Sequence, residues 1–200
     1  RPRDSKYNRN RNIQTALMKP ETTISEITAE GPIPSQVLSL YRLSFPPEER
    51  RPWTNVEEIA AFMSAHPQMH LQVIKSGGAF AGFMVYWHLS PLVHYVEHLA
   101  TLPEMRGNGL GAKLIESLTS IPETYVVLEV EPPVDELTRR RVGFYRRLGF
   151  TLHDTIPYRQ PPYCAGLPSV HLCLMTAPDI PPKRITSEIV PTLHSTIYGK

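Results

Sequence analysis

Three apolar segments follow one another with no helix between them in the middle of the chain, and this order most constrains the fold. Segments 71–75 and 80–89 flank a Ser-Gly-Gly turn, which is typical of a β-hairpin, and 93–101 is predicted to be a third strand. An amphipathic helix at about 109–118 and a β-branched run at 125–130 come next. Sequential strands pair antiparallel, whereas a strand–helix–strand unit joins parallel strands, so the pattern predicts one sheet of mixed direction.

Further helices and strands on both sides of this unit complete the predicted fold. They are a strand at 22–29, helices at 35–45 and 54–67, a helix at 134–148, strands at 151–156 and 170–175, and a final helix at 185–197. Thr54 and Glu57 have the spacing of a capping box for the second of these helices. We therefore predict an α/β protein (a mixed α+β sheet) with a central, mostly antiparallel sheet flanked by helices.

The composition excludes several classes of protein. The longest uninterrupted apolar run, Ala79 to Trp87, is far shorter than the ~18 residues that a membrane-spanning helix needs. Two cysteines are too few for a disulfide-stapled scaffold or a four-cysteine zinc site. No spacing of His, Cys and Asp is typical of a metal site, so we expect no metal. Because the longest apolar run is too short to span a bilayer, we expect no membrane partner.

The basic charge of the chain is concentrated in residues 1–12, which carry five Lys or Arg side chains against the single Asp4. The rest of the chain has a small net negative charge, which disfavours nucleic acid as a partner. Residues 1–17 lack apolar periodicity, so we predict a disordered basic arm there and a single domain over 18–200. A nucleic-acid-binding arm is the alternative. Because the arm has no apolar segment, we expect no secretory signal and predict a cytoplasmic protein.

A glycine-rich segment, Arg106 to Ala112, lies between the strand that ends at Thr101 and the helix that begins near Gly109. Its glycines allow the backbone to approach a ligand closely, and the free N–H groups of a first helical turn attract anions. Arg106 adds a positive charge, so a pyrophosphate is a natural ligand. The alternative is a tight turn whose glycines serve packing only.

The same segment matches the dinucleotide-binding pattern G-x-G-x-x-G/A through Gly107, Gly109 and Ala112, and Glu129 follows twenty residues after Gly109. We interpret this match as accidental. Five residues, 102–106, separate the strand from the first glycine, and too few strand–helix units follow for a doubly wound sheet. The P-loop pattern does not occur in the sequence, which excludes a P-loop nucleotidase.

Two segments in the right order resemble the motifs of the GCN5-related N-acetyltransferase (GNAT) superfamily. Glu97-His98-Leu99-Ala100-Thr101 followed by Arg106-Gly107-Asn108-Gly109-Leu110-Gly111 is similar to the central motif, whose acyl-CoA loop reads R/Q-x-x-G-x-G/A. Gly143 to Phe150 looks like the F-Y-x-x-L-G-F segment that follows the next strand. The order of predicted elements from about 22 to 175 also resembles this family, which predicts a GNAT-like fold.

The resemblance implies an N-acetyltransferase that moves an acetyl group from acetyl-CoA to a primary amine by direct attack in a ternary complex. The residues that it assigns to acetyl-CoA are a strand end beside the pantetheine arm and a loop around the pyrophosphate: Leu99, Ala100, Thr101, Arg106, Gly107, Asn108, Gly109, Leu110, Gly111 and Ala112. Tyr145 matches a tyrosine that can protonate the leaving thiolate. Glu97 matches a position that relays the proton of the amine. The chain departs from the family at 131–135, where many relatives have an asparagine.

The chemistry itself requires groups of this kind. An amine of the lysine type has a pKa of ~10.4, so a base must remove a proton before the nitrogen can attack a thioester. Strand alternation predicts that Tyr95, Glu97 and Leu99 share one face and that His98 lies on the other. A structural ion pair is the alternative for Glu97, and an ordinary core aromatic is the alternative for Tyr145.

The loop between the first two predicted helices and the loop at 158–163 are candidates for the acceptor pocket, because loops on a rigid sheet often carry recognition. The predicted substrate-binding residues, most of them in these loops, are Phe45, Glu48, Trp53, Tyr95, Tyr158 and Gln160; Glu49, Arg51 and Tyr163 lie in the same loops. The expected acceptor is a small-molecule amine or a peptide amine, and the expected state is a monomer or homodimer. A non-catalytic acyl-CoA-binding regulatory module is the alternative function.

Overall fold

The computed structural model describes residues 20–200, so the predicted arm over 1–17 lies outside the described residues. In chain order, the strands are β1 (Thr22–Ile27), β2 (Met69–Ser76), β3 (Ala79–Ser90), β4 (Val93–Thr101), β5 (Tyr125–Val130), β6 (Thr151–His153), β7 (Arg159–Gln160), β8 (Val170–His171) and β9 (Cys173–Ala177). The main helices are α1 (Ser35–Ser44), α2 (Val56–Ala65), α3 (Leu110–Thr119) and α4 (Glu136–Arg147). Residues 182–198 form a C-terminal helical segment with π-helical stretches at Ile185–Ile189 and His194–Tyr198.

Seven strands form one sheet in the order β1-β2-β3-β4-β5-β9-β6, and β7 pairs with β8 in a small second sheet. Within the large sheet only β4 and β5 are parallel, and the other neighbours are antiparallel. The strand–helix–strand unit through α3 supplies that parallel pair. The prediction of a mixed, mostly antiparallel sheet flanked by helices is therefore confirmed.

Helices cover both faces of the sheet, and the sheet divides the core into two clusters. The α1 face buries Leu40 of α1, Ile59 of α2 and Leu193 of the C-terminal helical segment against the sheet. The α3 face buries Leu114 of α3 and Val142 of α4 on the opposite side. Within residues 20–200, no helix combines the length and the apolar character needed to cross a bilayer.

Local details differ from the sequence predictions at three places. The N-cap of α2 is Asn55, whose side chain accepts from the backbone of Glu58, so the predicted capping box of Thr54 and Glu57 is wrong. The strand expected at 170–175 is divided between β8 and β9, which belong to different sheets. The final helix contains π-helical turns, around Pro191, rather than one regular α-helix.

A β-bulge in β4 changes which side chains share a face. His98 pairs with Val85 and Val96 pairs with Tyr86, so Glu97 has no partner in β3. Tyr95 and Glu97 share the α1 face as predicted, but His98 joins them there, 4.4 Å from the ring of Phe45. Leu99 packs on the α3 face. The predicted alternation is therefore wrong beyond Glu97, because the extra residue shifts the period by one.

Candidate functional site

The loop before α3 forms an open cradle of backbone donors. Gly107 and Gly109 have positive φ angles of 80° and 75°, and a Cβ added at either would meet no atom within 4 Å. Gly109 is the N-cap of α3, and Lys113 makes the first helical bond to its carbonyl, at 3.1 Å. The N–H groups of residues 110–112 therefore have no carbonyl acceptor within the helix. This geometry, with the exposed guanidinium of Arg106, fits a pyrophosphate.

The strands β4 and β5 diverge next to this loop. Their pairing begins at Val93 and Tyr125 and ends at Val96 and Leu128, although β4 continues to Thr101. The β4 residues predicted for the pantetheine arm, 99–101, therefore lie beyond the last pair with β5. An extended amide-bearing ligand can use the backbone edge that this divergence leaves without a neighbouring strand.

Glu97 lies in the bulge, and its carboxylate is fully enclosed. The side chain is 0% exposed and pairs with Arg51, which is 7% exposed. Trp87 donates its indole N–H to Oε2 at 2.7 Å, and Tyr163 donates its hydroxyl to Oε1 at 2.9 Å. Burial alone would raise the pKa of Glu97, but the charges of Arg51 and His98 and the hydrogen bonds from Trp87 and Arg51 together outweigh burial and hold that pKa below its usual range.

Arg51 is itself held on all sides. Its guanidinium carbon lies 4.6 Å from the ring centroid of Phe62, 4.8 Å from that of Tyr163 and 5.5 Å from that of Trp87. It also donates to the backbone carbonyl of Ile197 in the C-terminal helical segment, at 3.1 Å. The oxygens of Glu97 are therefore already bonded and its charge is compensated, as in a structural ion pair, and its role in accepting the proton of the amine stays a prediction.

Glu129 of β5 is a second enclosed carboxylate on the α1 face, and sequence reasoning missed it. Tyr158 donates its hydroxyl to Oε1, and Tyr198 of the C-terminal helical segment lies 3.4 Å from Oε2. Burial raises the pKa of Glu129 to about 7, although these hydroxyls favour the ionised form. The hydroxyl of Tyr95 is buried nearby and has no hydrogen-bond partner among residues 20–200. A carboxyl that titrates near neutrality is suited to proton transfer.

A signal for Glu129 was present in the sequence. Within β5, Val127 belongs to the α1 face and Leu128 to the α3 face, so alternation places Glu129 inward on the α1 face. A carboxylate at an inward position of an apolar strand is costly unless it is paired or functional. In the sequence, Glu129 otherwise stands out only as the acidic residue of the accidental dinucleotide pattern.

The structure separates the predicted substrate-binding residues into two groups. Tyr95 and Tyr158 are fully buried beside Glu129, and Gln160 is buried in β7. Phe45, Glu48 and Trp53 belong to the connection between α1 and α2, where Phe45 and Glu48 are partly exposed and Trp53 is buried. Their roles toward an acceptor stay predictions.

Tyr145 lies in α4 on the α3 face, opposite to Glu97 and Glu129. Its ring packs 5.0 Å from Phe144 and 5.6 Å from Phe150, measured between centroids, and only 9% of the residue is exposed. Burial raises its pKa to about 12. The two predicted catalytic residues are therefore on different faces of the sheet, so only the opening between β4 and β5 can connect them. The role of Tyr145 in proton transfer stays a prediction.

The position where many relatives have an asparagine is filled differently. Glu131 forms an ion pair with Arg141, and Asp135 caps α4 in a reciprocal capping box with Thr138. Among the residues that the structure describes, no group of three or more His, Cys, Asp or Glu is arranged to hold a metal ion.

Comparisons with known proteins agree with this geometry. The sequence model of the acetyltransferase (GNAT) family matches residues 35–150. A solved GNAT-family protein from Bacteroides thetaiotaomicron is 33% identical, with a TM-score of 0.75 over 89% of this chain and 99% of that chain. No curated protein matches the chain.

Two more distant structures share the fold and were solved with acetyl-CoA. A GNAT family acetyltransferase from Elizabethkingia anophelis with acetyl-CoA bound is 18% identical, with a TM-score of 0.51 over 78% of this chain and 96% of that chain. A protein from Salmonella typhimurium with its cofactor acetyl-CoA is 16% identical, with a TM-score of 0.54 over 80% of this chain and 99% of that chain. From the family match and the 33% identical relative, the chain belongs to the GNAT family of acetyltransferases.

Proposed function

We propose that the protein is an acetyl-CoA-dependent N-acetyltransferase whose acceptor is a primary amine of a small molecule or peptide. The observation that carries the choice of an amine is Glu129, an enclosed carboxylate with a pKa of about 7. A protonated amine must lose a proton before it attacks, and a base that titrates near pH 7 is ionised often enough to accept it.

Acetyl-CoA, when bound, supplies an acyl group activated as a thioester. The backbone N–H groups of residues 110–112 and the side chain of Arg106 would hold its pyrophosphate. The edge of β4 at 99–101, which lies beyond the last pair with β5, would hold its amide-bearing arm. Leu99 on the α3 face, which lies 3.7 Å from a Cβ placed on Gly111, would pack beside that arm.

Proton transfer is assigned to residues on the two faces of the sheet. Glu129 would accept one proton from the bound ammonium, which leaves the neutral nitrogen that attacks the thioester carbon, and would release that proton to solvent after each turnover. Tyr145 would donate its hydroxyl proton to the sulfur as the C–S bond breaks, which leaves a neutral thiol, and the second proton lost by the nitrogen would restore the Tyr145 hydroxyl through solvent. Tyr158 and Tyr198 would position the Glu129 carboxylate through their hydroxyls. Glu97, bound to Arg51, would act through its fixed negative charge, which contributes to the raised pKa of Glu129.

The proposal is tested by thiol release from acetyl-CoA with a panel of primary amines. We expect kcat at saturating amine to rise with pH through about 7, because Glu129 must be ionised to accept a proton. Glu129→Gln should lower kcat by ~10²–10⁴-fold and leave CoA affinity nearly unchanged. Glu30→Gln, at an exposed site, is the matched control.

Two results would contradict these assignments. If Glu97→Gln removed the pH dependence and Glu129→Gln kept it, Glu97 would be the base after all. If acetyl-CoA bound tightly and no amine released thiol, the non-catalytic acyl-CoA-binding module would be the better interpretation.

A further inference from the structure

A cleft of about 490 Å³ lies beside the network around Glu97, and the proposed steps of acetyl transfer do not use it. It is lined by Arg42, Pro47, Arg50, Pro52, Trp53, Cys164 and Leu167. These residues come from α1, the connection between α1 and α2, and the loop after β7. The lining is therefore apolar, with two guanidinium groups.

Each arginine is fixed by one bond to the backbone. Arg42 donates from Nη2 to the carbonyl of Trp53 at 2.7 Å, and Arg50 donates from Nε to the carbonyl of Phe45 at 3.0 Å. A guanidinium has five N–H donors in a planar fork, so four remain on each side chain for a ligand. A fixed fork with free donors is the geometry that binds carboxylates in a bidentate manner.

Neighbouring carboxylates leave these donors free. Hydrogen bonds from Thr54 and, to a smaller extent, the charge of Arg42 lower the pKa of Glu58. The carboxylate oxygens of Glu58 already accept from the backbone N–H and the hydroxyl of Thr54, at 2.7 and 2.6 Å. Glu48 and Glu49 lie on the turn beside Arg50. Across residues 20–200, no ion pair joins Arg42 or Arg50 to a carboxylate.

The cleft is adjacent to the enclosed carboxylates along the chain and in space. Trp53 and Pro52 follow Arg51, and Cys164 follows Tyr163, and both Arg51 and Tyr163 bond to Glu97. The rings of Tyr163 and Tyr198 are 5.1 Å apart, and Tyr198 reaches Glu129. The ring of Trp53, which lines the cleft, lies 5.7 Å from the guanidinium carbon of Arg51, so the cleft adjoins the residues that bond to Glu97.

We propose that the acceptor amine carries a carboxylate, which Arg42 and Arg50 bind in this cleft while its apolar part lies against Trp53 and Leu167. The acceptor class is then an amino acid or short peptide with a free carboxylate. This inference rests on the proposed acetyltransferase function and specifies its substrate.

The first test compares amines that differ only in one group. Leucine is paired with leucinamide, and glycyl-phenylalanine is paired with its C-terminal amide. Converting the carboxylate to an amide lowers the pKa of the amino group, so kcat/KM is expressed per unprotonated amine. Turnover is followed by the loss of thioester absorbance in the otherwise unmodified protein, because the exposed Cys164 would react with a thiol reagent. We expect the acid of at least one pair to exceed its amide by about 10-fold to 100-fold, as for a charge-assisted hydrogen bond.

Variants then assign the preference to the arginines. Arg50→Gln and Arg42→Gln should each reduce the acid-to-amide ratio by about 10-fold through KM, and Arg50→Lys should restore part of it because the charge returns without the fork. Lys183→Gln removes one exposed positive charge outside the cleft and should leave the ratio unchanged. Thermal melting checks that every variant is folded.

A second measurement reports binding without turnover. Alkylation of Cys164 by iodoacetamide in the otherwise unmodified protein should be slowed by the acids and not by the amides, and Arg50→Gln should abolish the difference. Ratios near one in every pair, or equal protection by acid and amide, would overturn the inference. If no amine is acetylated, the proposed function fails, and the alkylation rates still decide whether the cleft binds carboxylates.

Discussion

Replacing Arg51 by methionine tests the central ion pair of the α1 face. Methionine keeps an unbranched apolar stem among the rings of Phe62, Tyr163 and Trp87, but it removes the charge beside Glu97 and the donor to the carbonyl of Ile197. Trp87 and Tyr163 would still donate to the carboxylate. The substitution therefore leaves a buried negative charge with neutral donors only.

The magnitude follows from the burial of both partners. The side chains of Arg51 and Glu97 are 7% and 0% exposed, and removing one partner of such a pair typically costs ~3–5 kcal/mol, because the other charge stays buried without compensation. For a domain of this size, each kcal/mol lowers Tm by ~2–4 °C, so the expected loss is about 6 to 20 °C.

The pH dependence of this loss has a definite sign. In the parent protein, the pKa of Glu97 is lowered on folding, so its contribution to stability is present at neutral pH and is lost as pH falls through the acidic range. In Arg51→Met, burial should instead raise that pKa above its unfolded value. The penalty should therefore be largest above neutral pH and should shrink as pH falls toward 5 and Glu97 becomes protonated.

Urea denaturation of four proteins measures these effects: the parent, Arg51→Met, Glu97→Gln and the double variant. The double variant removes the buried charge, so it should be more stable than Arg51→Met at pH 8. Additive losses in the double variant, or a loss below about 1 kcal/mol in Arg51→Met at every pH, would refute the account of the pair.

Three further perturbations test other parts of the site. Gly109→Asp should weaken CoA binding at least ~10-fold, because it places a side chain with a carboxylate at a φ of 75° in the cradle. Gly78→Asp, at a φ of 81° in the hairpin turn, controls for backbone strain, and calorimetry measures the CoA affinity of both variants. Tyr145→Phe should lower kcat by ~10²-fold with CoA affinity nearly unchanged, and full kcat under conditions where chemistry limits the rate would make Tyr145 a core residue only. Burial and the neighbouring His88 lower the pKa of His94 to about 4, so stability should fall as pH drops from about 6.5 toward 4, and His94→Phe should flatten that slope in urea titrations.

The elements of the fold were predictable because their signals are local. The Ser-Gly-Gly turn identifies the hairpin of β2 and β3, and the glycine-rich segment Arg106 to Ala112 contains the start of α3. The first motif that resembles the GNAT family, at 97–111, includes part of this segment, and the second, Gly143 to Phe150, covers the end of α4, so the fold class and the loop before α3 followed from residues close in sequence. Each of these signals spans fewer than about 20 residues.

The arrangement around the carboxylates was not predictable in the same way. Arg51 and Glu97 are 46 positions apart, and Tyr198 and Glu129 are 69 positions apart, so no local pattern joins them. The bulge at Glu97 also depends on pairing with β3, and it reverses the faces of His98 and Leu99 relative to strict alternation. Pairing partners and register, which only the tertiary structure supplies, decided these points.

The two enclosed carboxylates differ because the α1 face places a cation beside only one of them. Glu97 has Arg51 in contact and its pKa is lowered, whereas Glu129 has neutral tyrosine hydroxyls and its pKa is raised to about 7, with the charge of Glu97 adding to the rise. Two like charges in one desolvated region cannot both be stable without compensation, so fixing the charge on Glu97 leaves Glu129 as the group that changes protonation state near neutral pH. The C-terminal helical segment contacts Arg51 through the carbonyl of Ile197 and Glu129 through the hydroxyl of Tyr198. This segment lies beyond the 35–150 region that matches the family, so the proposed proton chemistry would depend on residues that the family match does not include.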